Sequence, residues 1–402
     1  MRPFLAARPA SRARLAPTAT AILIVALSAG SAMPAACAQE GEFKLRGYLH
    51  YDVRDFSEIA STPTGESSEL RRVRPIIEYK SPRWSLRVMP DLARESNLML
   101  DAYVELTPDA PWDLRIGRFK SPLSIDRLRS VNALALTETS LVAEMTPNRD
   151  NGVLLGLQTP GKSYWRLESG VFDGAADGEV KGSLDEGAEW TLRALRLQTG
   201  PAANWRIGVG ASGGRRHGEP DAARLARYRT PGRSTWFRYA GNAYSDGDSG
   251  RIAAFADYYG GPWFAQAEAI RASETVRRGA TRARLSHRGW ELQAGRVLTG
   301  EHRTFEGVVP ANVRLPGLDV PVAIELSAHA GELRIDPDAF TLGLADGSSS
   351  GERLRQAGVA LGFWFPQQWR LTVGVEHATI RLPNAGPDLR ERVVLARLAM
   401  AF

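Results

Sequence analysis

The last stretch of the chain alternates between apolar and polar residues with a period of two and ends on an aromatic residue. Counting back from Phe402, every second residue is apolar: Met400, Leu398, Ala396 and Val394. A period of two is that of a β-strand whose two faces meet different surroundings. An apolar face that ends on an aromatic residue is typical of a strand with one side in lipid. This pattern favours a membrane-spanning β-barrel over other folds.

The same alternation recurs along the chain. It covers Leu45–Asp55, Val73–Lys80, Leu98–Leu106 and Trp369–Glu376, with apolar residues on one face and charged residues on the other. After residue 38 no segment reaches the ~18 continuous apolar residues that a membrane helix requires. A closed barrel is the remaining way to span a membrane, because lipid cannot satisfy the open edges of a sheet.

A soluble β-sandwich, which alternates with its apolar face inward, is the competing fold. Tryptophans near the predicted strand starts favour the barrel, since aromatic residues collect at the two surfaces of a membrane. They are Trp84, Trp112, Trp165, Trp190, Trp205, Trp263, Trp290 and Trp369.

The first 38 residues are typical of a secretory signal peptide. Four arginines precede the short apolar run 21–27, and Ala36-Cys37-Ala38 provides small residues for cleavage, which predicts a mature start near Gln39. A membrane anchor is the alternative, but the apolar run is short for a span. We expect residues 1–38 to be the signal peptide and 39–402 to form the barrel, placed in the outer membrane of a Gram-negative bacterium.

Charge and cysteine content exclude several classes of function. The chain has 51 Lys+Arg and 45 Asp+Glu; the first 38 residues hold four Arg and no acid, which leaves 47 against 45. The mature chain is therefore nearly neutral, and we expect no nucleic-acid partner. The only Cys is Cys37, so disulfides, cysteine-bound zinc and thiol catalysis are excluded after cleavage. The six His residues show no metal-binding spacing, and we expect no metal and no cofactor.

Turns and loops set the number of strands. Short turns alternate with long polar stretches, which lie at about 56–69, 120–150, 173–187, 213–233, 273–288, 300–320 and 335–351. This division predicts seventeen strands, but a barrel whose two termini share one side needs an even number. We therefore expect an all-β antiparallel barrel of 16 strands, with 18 as the alternative and Arg278–Ser286 as a candidate extra strand. The side of the membrane on which 300–320 lies depends on whether the barrel has 16 or 18 strands.

The loop 120–150 is the segment most expected to carry function. A structureless segment of this length inside a compact domain is usually functional. Its apolar residues, among them Leu134, Leu136, Leu141, Val142 and Met145, favour burial against the barrel wall. This composition predicts an inward-folded constriction loop. An external cap or a loop at a trimer contact is the alternative.

Seven segments of the chain, in order, resemble the phosphate-selective porin O and P family. They are Glu69–Arg74, Asp101–Glu105, Leu114–Pro122, Pro147–Val153, Leu298–Arg303, Ala323–Leu326 and Phe363–Leu371. The resemblance implies a trimeric outer-membrane porin with sixteen strands, inward-folded loops and an anion route lined by arginines and lysines. Two departures stand out: Leu123 replaces the family's Phe, and only five lysines occur in the chain. A phosphate-binding site formed by lysines would therefore have few residues in this chain.

The predicted anion pathway combines the residues that match the family with arginines on the inward faces and in the loop. A guanidinium stays charged at any relevant pH and binds phosphate or carboxylate through two parallel N–H hydrogen bonds. The candidate residues are Arg46, Arg54, Arg71, Arg72, Arg74, Arg87, Arg115, Arg118, Lys120, Arg127, Arg129 and Arg149. Arginines in the stretch 213–233 are expected to form an outer vestibule that collects anions.

The function predicted from the sequence is passive diffusion of small anions, with phosphate or polyphosphate as candidate solutes. The expected partners are these anions, the outer-membrane lipids and two further copies of the chain in a homotrimer. If the arginines are instead paired with acidic residues, the channel would be wide and weakly selective. A barrel enzyme is the remaining alternative, but no Ser or Asp nucleophile is recognisable beside a His, and we expect no enzymatic activity.

Overall fold

The computed structural model describes residues 41–56, 65–93, 98–178, 187–317, 319–383 and 387–402. The predicted signal peptide 1–38 lies outside the described residues. Within the described part of the chain, no helix has the length and apolar character needed to cross a membrane.

The described residues form sixteen long antiparallel strands, each hydrogen-bonded to the next in sequence. In chain order they are β1 Glu42–Phe56, β2 Gly65–Lys80, β3 Trp84–Asp91, β4 Leu98–Leu106, β5 Trp112–Phe119, β6 Asp150–Gln158, β7 Tyr164–Phe172, β8 Glu189–Thr199, β9 Asn204–His217, β10 Tyr244–Gly260, β11 Trp263–Arg278, β12 Thr281–Val297, β13 Pro321–Arg334, β14 Arg353–Trp364, β15 Arg370–Arg381 and β16 Leu389–Ala401.

The sheet closes on itself because the first strand pairs with the last. Strand β1 pairs with β2 on one side and with β16 on the other, with Tyr48 opposite Ala401 and Asp52 opposite Arg397. Closure leaves the long strands without an open edge, which is the condition for a sheet in lipid. The predicted all-β antiparallel barrel with 16 strands is confirmed.

The burial of side chains is the reverse of that in a soluble protein. On β1, Tyr51 and Val53 are more than 40% exposed, whereas His50 and Asp52 are fully buried. The same holds around the barrel: the outward residues are mostly apolar and the buried ones include many charged residues. An apolar exterior around a charged interior is the arrangement of a membrane barrel.

Two details of the predicted strand division are wrong. The count of seventeen strands is one too many. The predicted long loop 273–288 is also wrong, and Arg278–Ser286 is not the extra strand that a barrel of 18 would have needed. Strand β11 runs to Arg278 and β12 starts at Thr281, so only Gly279 and Ala280 form the turn. Gly279 has a φ of 58°, a conformation that glycine adopts without strain. Polar residues in this region belong to the ends of two long strands.

We call the end of the barrel at which β1 begins and β16 ends the lower end, and the opposite end the upper end. The connections 120–149, 173–188, 218–243 and 335–352 lie at the upper end. With sixteen strands, the long connection 298–320 between β12 and β13 lies at the lower end. The sequence had left this side undecided.

Most of the tryptophans expected at strand starts lie at the lower end. Six of the eight lie at or next to the first residue of a strand that begins there: Trp84, Trp112, Trp165, Trp205, Trp263 and Trp369. Trp190 follows the first residue of β8, which begins at the upper end, and Trp290 lies in the middle of β12. Seven of the eight, all but Trp84, are more than a third exposed. Such a belt is expected at one surface of a membrane.

Candidate functional site

The segment 120–149, which connects β5 and β6, contacts strands on the opposite side of the barrel. It contains a short helix, Ile125–Leu128, capped by the Ser124 hydroxyl, and the single turns Val131–Ala133 and Leu141–Met145. Its apolar side chains Leu134, Leu141, Val142 and Met145 are buried. Apolar residues that would be unfavourable in water therefore lie inside the molecule.

Glutamates of the facing wall accept hydrogen bonds from the backbone of this segment. The Glu268 carboxylate of β11 accepts from the Ile125 N–H at 3.0 Å and from the Ser124 hydroxyl at 3.1 Å. The Glu291 carboxylate of β12 accepts from the Leu141 N–H. These carboxylates satisfy N–H groups that an irregular buried segment leaves without partners of its own.

Arginines of the wall and of the connection 298–320 donate to the carbonyl groups of the same segment. Arg303 donates to the Ala133 carbonyl at 2.7 Å, and Arg370 of β15 donates to the Leu134 and Ala135 carbonyls, the latter at 2.9 Å. Arg397 of β16 donates to the Thr137 carbonyl. The backbone from 133 to 137 is thus attached by charge-assisted hydrogen bonds to three arginines, two from the wall and one from the connection 298–320.

A β-bulge turns two adjacent arginines to the inside of the barrel. In the pairing of β1 with β2, His50 is opposite Arg72 and Tyr51 is opposite Leu70, so Arg71 has no partner of its own. Neighbouring residues of a regular strand point to opposite faces, but a bulge inserts an extra residue and breaks this rule. The side chains of Arg71 and Arg72 are 13% and 5% exposed, and both contact the Glu138 carboxylate, at 3.3 and 3.2 Å.

A cavity of about 140 Å³ lies beside this arginine pair. Among the described residues that line it are eight Lys and Arg against four Glu. The basic residues are Arg71, Arg72, Arg74, Lys120, Arg127, Arg149, Arg229 and Arg233. The acidic residues are Glu138, Glu144, Glu291 and Glu376. The charged lining of this cavity therefore has an excess of positive charge.

Two guanidinium donors in the cavity lining have unused hydrogen-bonding capacity. The Nε atoms of Arg72 and Arg127 are buried and have no hydrogen-bond partner among the described residues. Both side chains are more than nine-tenths buried. A buried donor without a partner is unfavourable, so burying these two atoms lowers the stability of the fold.

Comparison with known proteins identifies the family. A family model described as phosphate-selective porin O and P matches residues 43–321, well over half of the chain. The chain belongs to this family. The resemblance seen in the sequence is thereby confirmed, and the protein is an outer-membrane porin with a barrel channel.

Solved structures share the fold of this porin at low sequence identity. The outer-membrane channel DcaP of Acinetobacter baumannii aligns with a TM-score of 0.58 and 13% identity, covering 90% of this chain and 97% of that one. An anion-selective porin from Comamonas acidovorans aligns with a TM-score of 0.53 and 11% identity, covering 90% and 100%. OmpT of Vibrio cholerae, in its trimer form, aligns with 0.52 and 7%, covering 90% and 99%. No protein in a search of curated sequences matches the chain.

Six of the twelve residues predicted for the anion pathway line the cavity of the porin: Arg71, Arg72, Arg74, Lys120, Arg127 and Arg149. Most of these cations also contact a carboxylate. Arg74 contacts Asp91 at 2.9 Å, and Arg149 contacts Asp101 at the same distance. The cavity lining is thus basic in sum but partly neutralised residue by residue.

Lys120 differs from the arginines of the cavity. Its ammonium donates to the backbone carbonyls of Arg129 and Leu128, at 2.7 and 3.4 Å. Burial lowers the pKa of Lys120 well below its usual value, and the nearby Arg149 lowers it further. Its proton donors are therefore directed at the segment backbone, and its charge is disfavoured.

The other six predicted residues do not line the cavity. Four contact carboxylates: Arg46 with Glu78, Arg54 with Asp52 and Glu69, Arg87 with Asp101 and Glu78, and Arg115 with Glu105. Arg118 donates to the Asn151 side chain at 2.8 Å. Arg129 is buried and donates to Gln266 at 2.7 Å and to the Tyr259 hydroxyl. The structure therefore divides the predicted set between one cavity and a series of wall pairs.

A second inward-packed segment, 218–243, was missed by the sequence reasoning. It contains the hairpin Arg227–Arg229 and Thr235–Arg238. Tyr228, Trp236 and Phe237 of this hairpin are buried in an apolar cluster with inward residues of the wall, including Ile270 and Leu285. Three aromatic residues within about ten positions are the signal in the sequence, and the arginines around them instead favoured a polar vestibule.

The tip of that segment brings Arg229 and Arg233 into the cavity lining. The Glu391 carboxylate of β16 accepts from the Thr230 hydroxyl at 2.7 Å and from the Gly232 N–H at 2.8 Å. Arg233 donates to Glu69 at 2.6 Å. Of the other arginines proposed for a vestibule, Arg216 is buried beside Glu189 and Glu274, so this part of the proposal was wrong.

The connection 298–320 carries aromatic and cationic side chains inward at the lower end. Arg303 is fully buried and contacts Glu325 at 2.6 Å. The Phe305 ring lies under two guanidinium groups, 3.8 Å from that of Arg206 and 4.8 Å from that of Arg129. Stacking of guanidinium on an aromatic ring is favourable and fixes both groups. The connection thereby touches the segment 120–149 from below.

Within the described residues, no group of three or more His, Cys, Asp or Glu side chains is arranged to hold a metal ion.

Proposed function

We propose that this porin prefers anions and that the cavity beside Arg71 and Arg72 is where the preference arises. The observation that carries the proposal is the excess of Lys and Arg over Glu in its described lining, eight against four. A basic wall of low dielectric raises the local concentration of anions and repels cations.

Passage also requires that an anion can leave. The guanidinium groups of Arg72 and Arg127 line the cavity and attract an anion, while Glu138 and Glu144 beside them compete for the same groups. Conduction needs binding that is favourable enough for entry and weak enough for release. Such shared arginines suit transient contacts.

Phosphate is proposed as one permeant anion rather than as a tightly held ligand. The Lys120 ammonium is directed at two backbone carbonyls, and only five lysines occur in the whole chain. The ion pairs of Arg46, Arg54, Arg87 and Arg115 favour modest selectivity along the rest of the wall. A weakly selective general porin is therefore the second candidate function.

Reversal potentials of the protein in planar bilayers, measured across a potassium chloride gradient, test the anion preference. We expect the sign of chloride preference in the wild type and a shift towards zero in the double variant Arg71→Gln, Arg72→Gln. Arg83→Gln, at an exposed turn outside the cavity, is the matched control and should leave the potential unchanged. A cation preference in the wild type would refute the proposal.

The chloride current measured with millimolar phosphate tests whether phosphate enters the channel. We expect partial and reversible reduction of the chloride current, weaker in the double arginine variant. An unaltered chloride current would remove phosphate from the proposal and leave a general porin.

The segment 120–149 is proposed to be the constriction of the channel. Arg370→Gln should release the carbonyls of Leu134 and Ala135 and raise the single-channel conductance, because two of the attachments of the segment are lost. The control is Arg355→Gln, since Arg355 is more than half exposed and pairs with Glu332 outside the cavity. Equal conductance in both variants and the wild type would argue for a segment that does not narrow the path.

A homotrimer is the proposed assembly. OmpT, a structural neighbour, is described in a trimer form, and the resemblance to the family implied the same state. Native mass spectrometry in detergent tests it, and a monomer as the largest species would exclude it.

A further inference from the structure

A row of arginines crosses the outer face of the barrel from β11 to β15. Each strand contributes one residue, and each residue is directly opposite the next: Arg271, Arg288, Arg334, Arg353 and Arg381. Their neighbours in the chain, among them Ile270, Leu333 and Leu354, are buried in the apolar cluster inside the barrel. Since successive residues of a strand point to opposite faces, the arginines point outward. Neighbouring strands are about 4.8 Å apart, so the row is about 19 Å long.

The row is accessible from outside and only partly neutralised. The side chains of Arg334 and Arg381 are 43% and 51% exposed. Arg334 pairs with Glu332, and Arg381 contacts Glu352 at 3.2 Å. Within the described part of the chain, the remaining three arginines of the row contact no carboxylate. Five arginines against two carboxylates leave the row with an excess of positive charge.

Such a row is unfavourable without an anion. Like charges that are directly opposite each other on neighbouring strands destabilise a sheet. The repulsion is stronger at a protein surface than in bulk water, because the effective dielectric constant is lower. A ligand with more than one phosphate group would relieve it, since guanidinium groups bind phosphate through charge-assisted hydrogen bonds.

The row lies where the apolar outer surface ends. Between Trp263 and Arg271 the outward residues of β11 are all alanines. Eight positions separate Trp263 from Arg271, and twelve separate Trp369 from Arg381. With about 3.4 Å per residue and a strand tilt of about 40°, these distances correspond to heights of about 21 and 31 Å. They bracket the ~25 Å height of the apolar band of a membrane barrel, which places the row at the level of lipid headgroups.

The row belongs to the end of the barrel with most of the long connections. Membrane barrels have short turns on the periplasmic side and longer loops outside. The upper end, with 120–149, 173–188, 218–243 and 335–352, is therefore the outer end. The headgroups that the row meets are those of the outer leaflet.

Outward arginines are not a general feature of this end of the barrel. At the upper ends of β6, β7 and β8 the outward residues include Val153, Val171 and Trp190, each more than 40% exposed. A basic row on one sector and apolar residues on another indicate that the row meets a particular ligand.

We propose that this row binds the phosphate groups of a phosphorylated glycolipid of the outer leaflet, of the chemical type of lipid A. A lipid is favoured over a free anion because the alanine surface directly below the row accommodates acyl chains of the same molecule. A disaccharide that carries two phosphates is favoured over a phospholipid with one, because several cations are spaced along about 19 Å. The site is on the outside of the barrel and does not depend on the selectivity of the channel.

The phosphate dependence of lipid binding tests the inference in the wild type. Lipid A with two, one and no phosphate groups is added to the purified porin in detergent, with EDTA to remove bridging divalent cations, and bound lipid is measured by native mass spectrometry. We expect each phosphate removed to weaken binding by on the order of threefold to tenfold. Equal binding of the three forms would overturn the inference, as would phosphatidylglycerol binding as tightly as the form with two phosphates.

The double variant Arg288→Gln, Arg353→Gln tests the location. It should bind lipid A with two phosphates more weakly by on the order of tenfold, as expected for the loss of two cations at a lipid surface. The matched control is Arg196→Gln, Arg296→Gln. These two arginines are near the lower end, where their guanidinium groups stack on Trp165 and Trp263 at 5.7 and 5.0 Å. The control should bind as the wild type does, and an equal loss in both double variants would refute the assignment.

Heat denaturation separates binding from a structural role. Without lipid A, the midpoint temperature of Arg288→Gln, Arg353→Gln should be at least that of the wild type, because repulsion along the row is reduced. Lipid A with two phosphates should raise the midpoint of the wild type more than that of the variant, since a ligand stabilises the state that it binds. A lower midpoint in the variant without lipid, together with an equal gain from lipid A, would show that the row is only structural.

Discussion

Glu138 is shared by arginines from three strands at the edge of the cavity. Arg71 and Arg72 of β2 and Arg397 of β16 contact its carboxylate at 3.2–3.3 and 2.7 Å, and Arg54 of β1 lies 3.9 Å away. Asp52 and Glu69 also contact arginines of this group, so four arginines share three carboxylates. Removing a partner from such a buried group exposes the remaining charges to one another.

Glu138→Gln is expected to increase anion preference. Loss of a negative charge a few ångströms from the ion path changes the energy of a passing chloride by a fraction of a kcal/mol to about 1 kcal/mol, so the chloride-to-potassium permeability ratio should rise by about threefold. Reversal potentials measure it. Glu352→Gln, in a half-exposed pair with Arg381, serves as the control. A ratio that falls or stays constant would show that Glu138 does not face the path of the ion.

The same residue predicts a pH dependence of stability. Burial would raise the pKa of Glu138, but Arg71, Arg397 and Arg72 outweigh it and hold the pKa well below its usual value. A lowered folded-state pKa stabilises the fold fully above the unfolded-state pKa of about 4.3, and the effect is lost as pH falls through the folded-state pKa.

Heat denaturation in detergent measures this contribution. The difference in midpoint temperature between the wild type and Glu138→Gln should stay constant from neutral pH down to about 5 and shrink only in stronger acid. A difference that disappears while the pH is still above 5 would contradict the lowered pKa.

The sequence identified residue types better than their partners. Arg71 and Arg72 were both predicted for the pathway from the family resemblance, but strict alternation would have turned one of them to lipid. The bulge opposite His50 and Tyr51 resolves this conflict. Glu138, Glu291 and Glu376 escaped notice because the side chains that they meet at the cavity share no regular spacing with them along the chain.

At the scale of elements, the two inward-packed segments are held by different means. The segment 120–149 is attached through its backbone to wall glutamates and arginines. The segment 218–243 is attached through aromatic side chains and through its tip at Glu391. Attachment through the backbone can be made by most residue types. The tip of 218–243, in contrast, requires a small residue at position 232, because its backbone lies close to Glu391.

Gly232→Ala is expected to displace that tip. A Cβ atom at this position would lie 2.6 Å from Glu391 Oε1 and 2.7 Å from the Phe56 ring. Such overpacking costs roughly 1–3 kcal/mol, and the tip should leave Glu391 rather than compress. Hydrogen–deuterium exchange of the peptides that cover 227–238 should therefore become faster.

Gly241→Ala is the matched control in the same segment, because a Cβ there would meet no atom within 4 Å. Its exchange should equal that of the wild type. If both variants behave alike, the attachment of the tip to Glu391 does not hold the segment in place.

At the scale of the whole molecule, the seam between β1 and β16 ends in a pair of backbone hydrogen bonds. The Gly47 N–H donates to the Phe402 carbonyl at 2.9 Å, and the Phe402 N–H donates to the Gly47 carbonyl at 3.0 Å. The Phe402 ring covers Gly47, where a Cβ would lie 2.5 Å from the ring. The aromatic residue that ends the apolar repeat thus completes the last pair of the closed sheet.

Deletion of Phe402 is expected to impair closure more than Phe402→Ala. The deletion removes both hydrogen bonds, and a backbone group without a partner costs several kcal/mol in lipid, whereas the alanine variant loses only the ring. The fraction of outer-membrane protein that resists unfolding in unheated gel samples measures the effect. Val309→Ala, which truncates an 80% exposed side chain outside the strands, is the control. Equal resistance of the deletion variant and the wild type would contradict the proposed role of the seam.

The sequence by itself determined the strands, their apolar outer face and the barrel, because these follow from alternation between near neighbours and from the need to pair every edge in lipid. It also indicated that 120–150 is unusual, since apolar residues in a long connection require burial. Tertiary structure decided the tight turn at Gly279, the inward position of Arg71, the packing of 218–243 and the lining of the cavity. These depend on which side chains meet across a closed ring, and closure brings together residues as distant in the chain as Asp52 and Arg397.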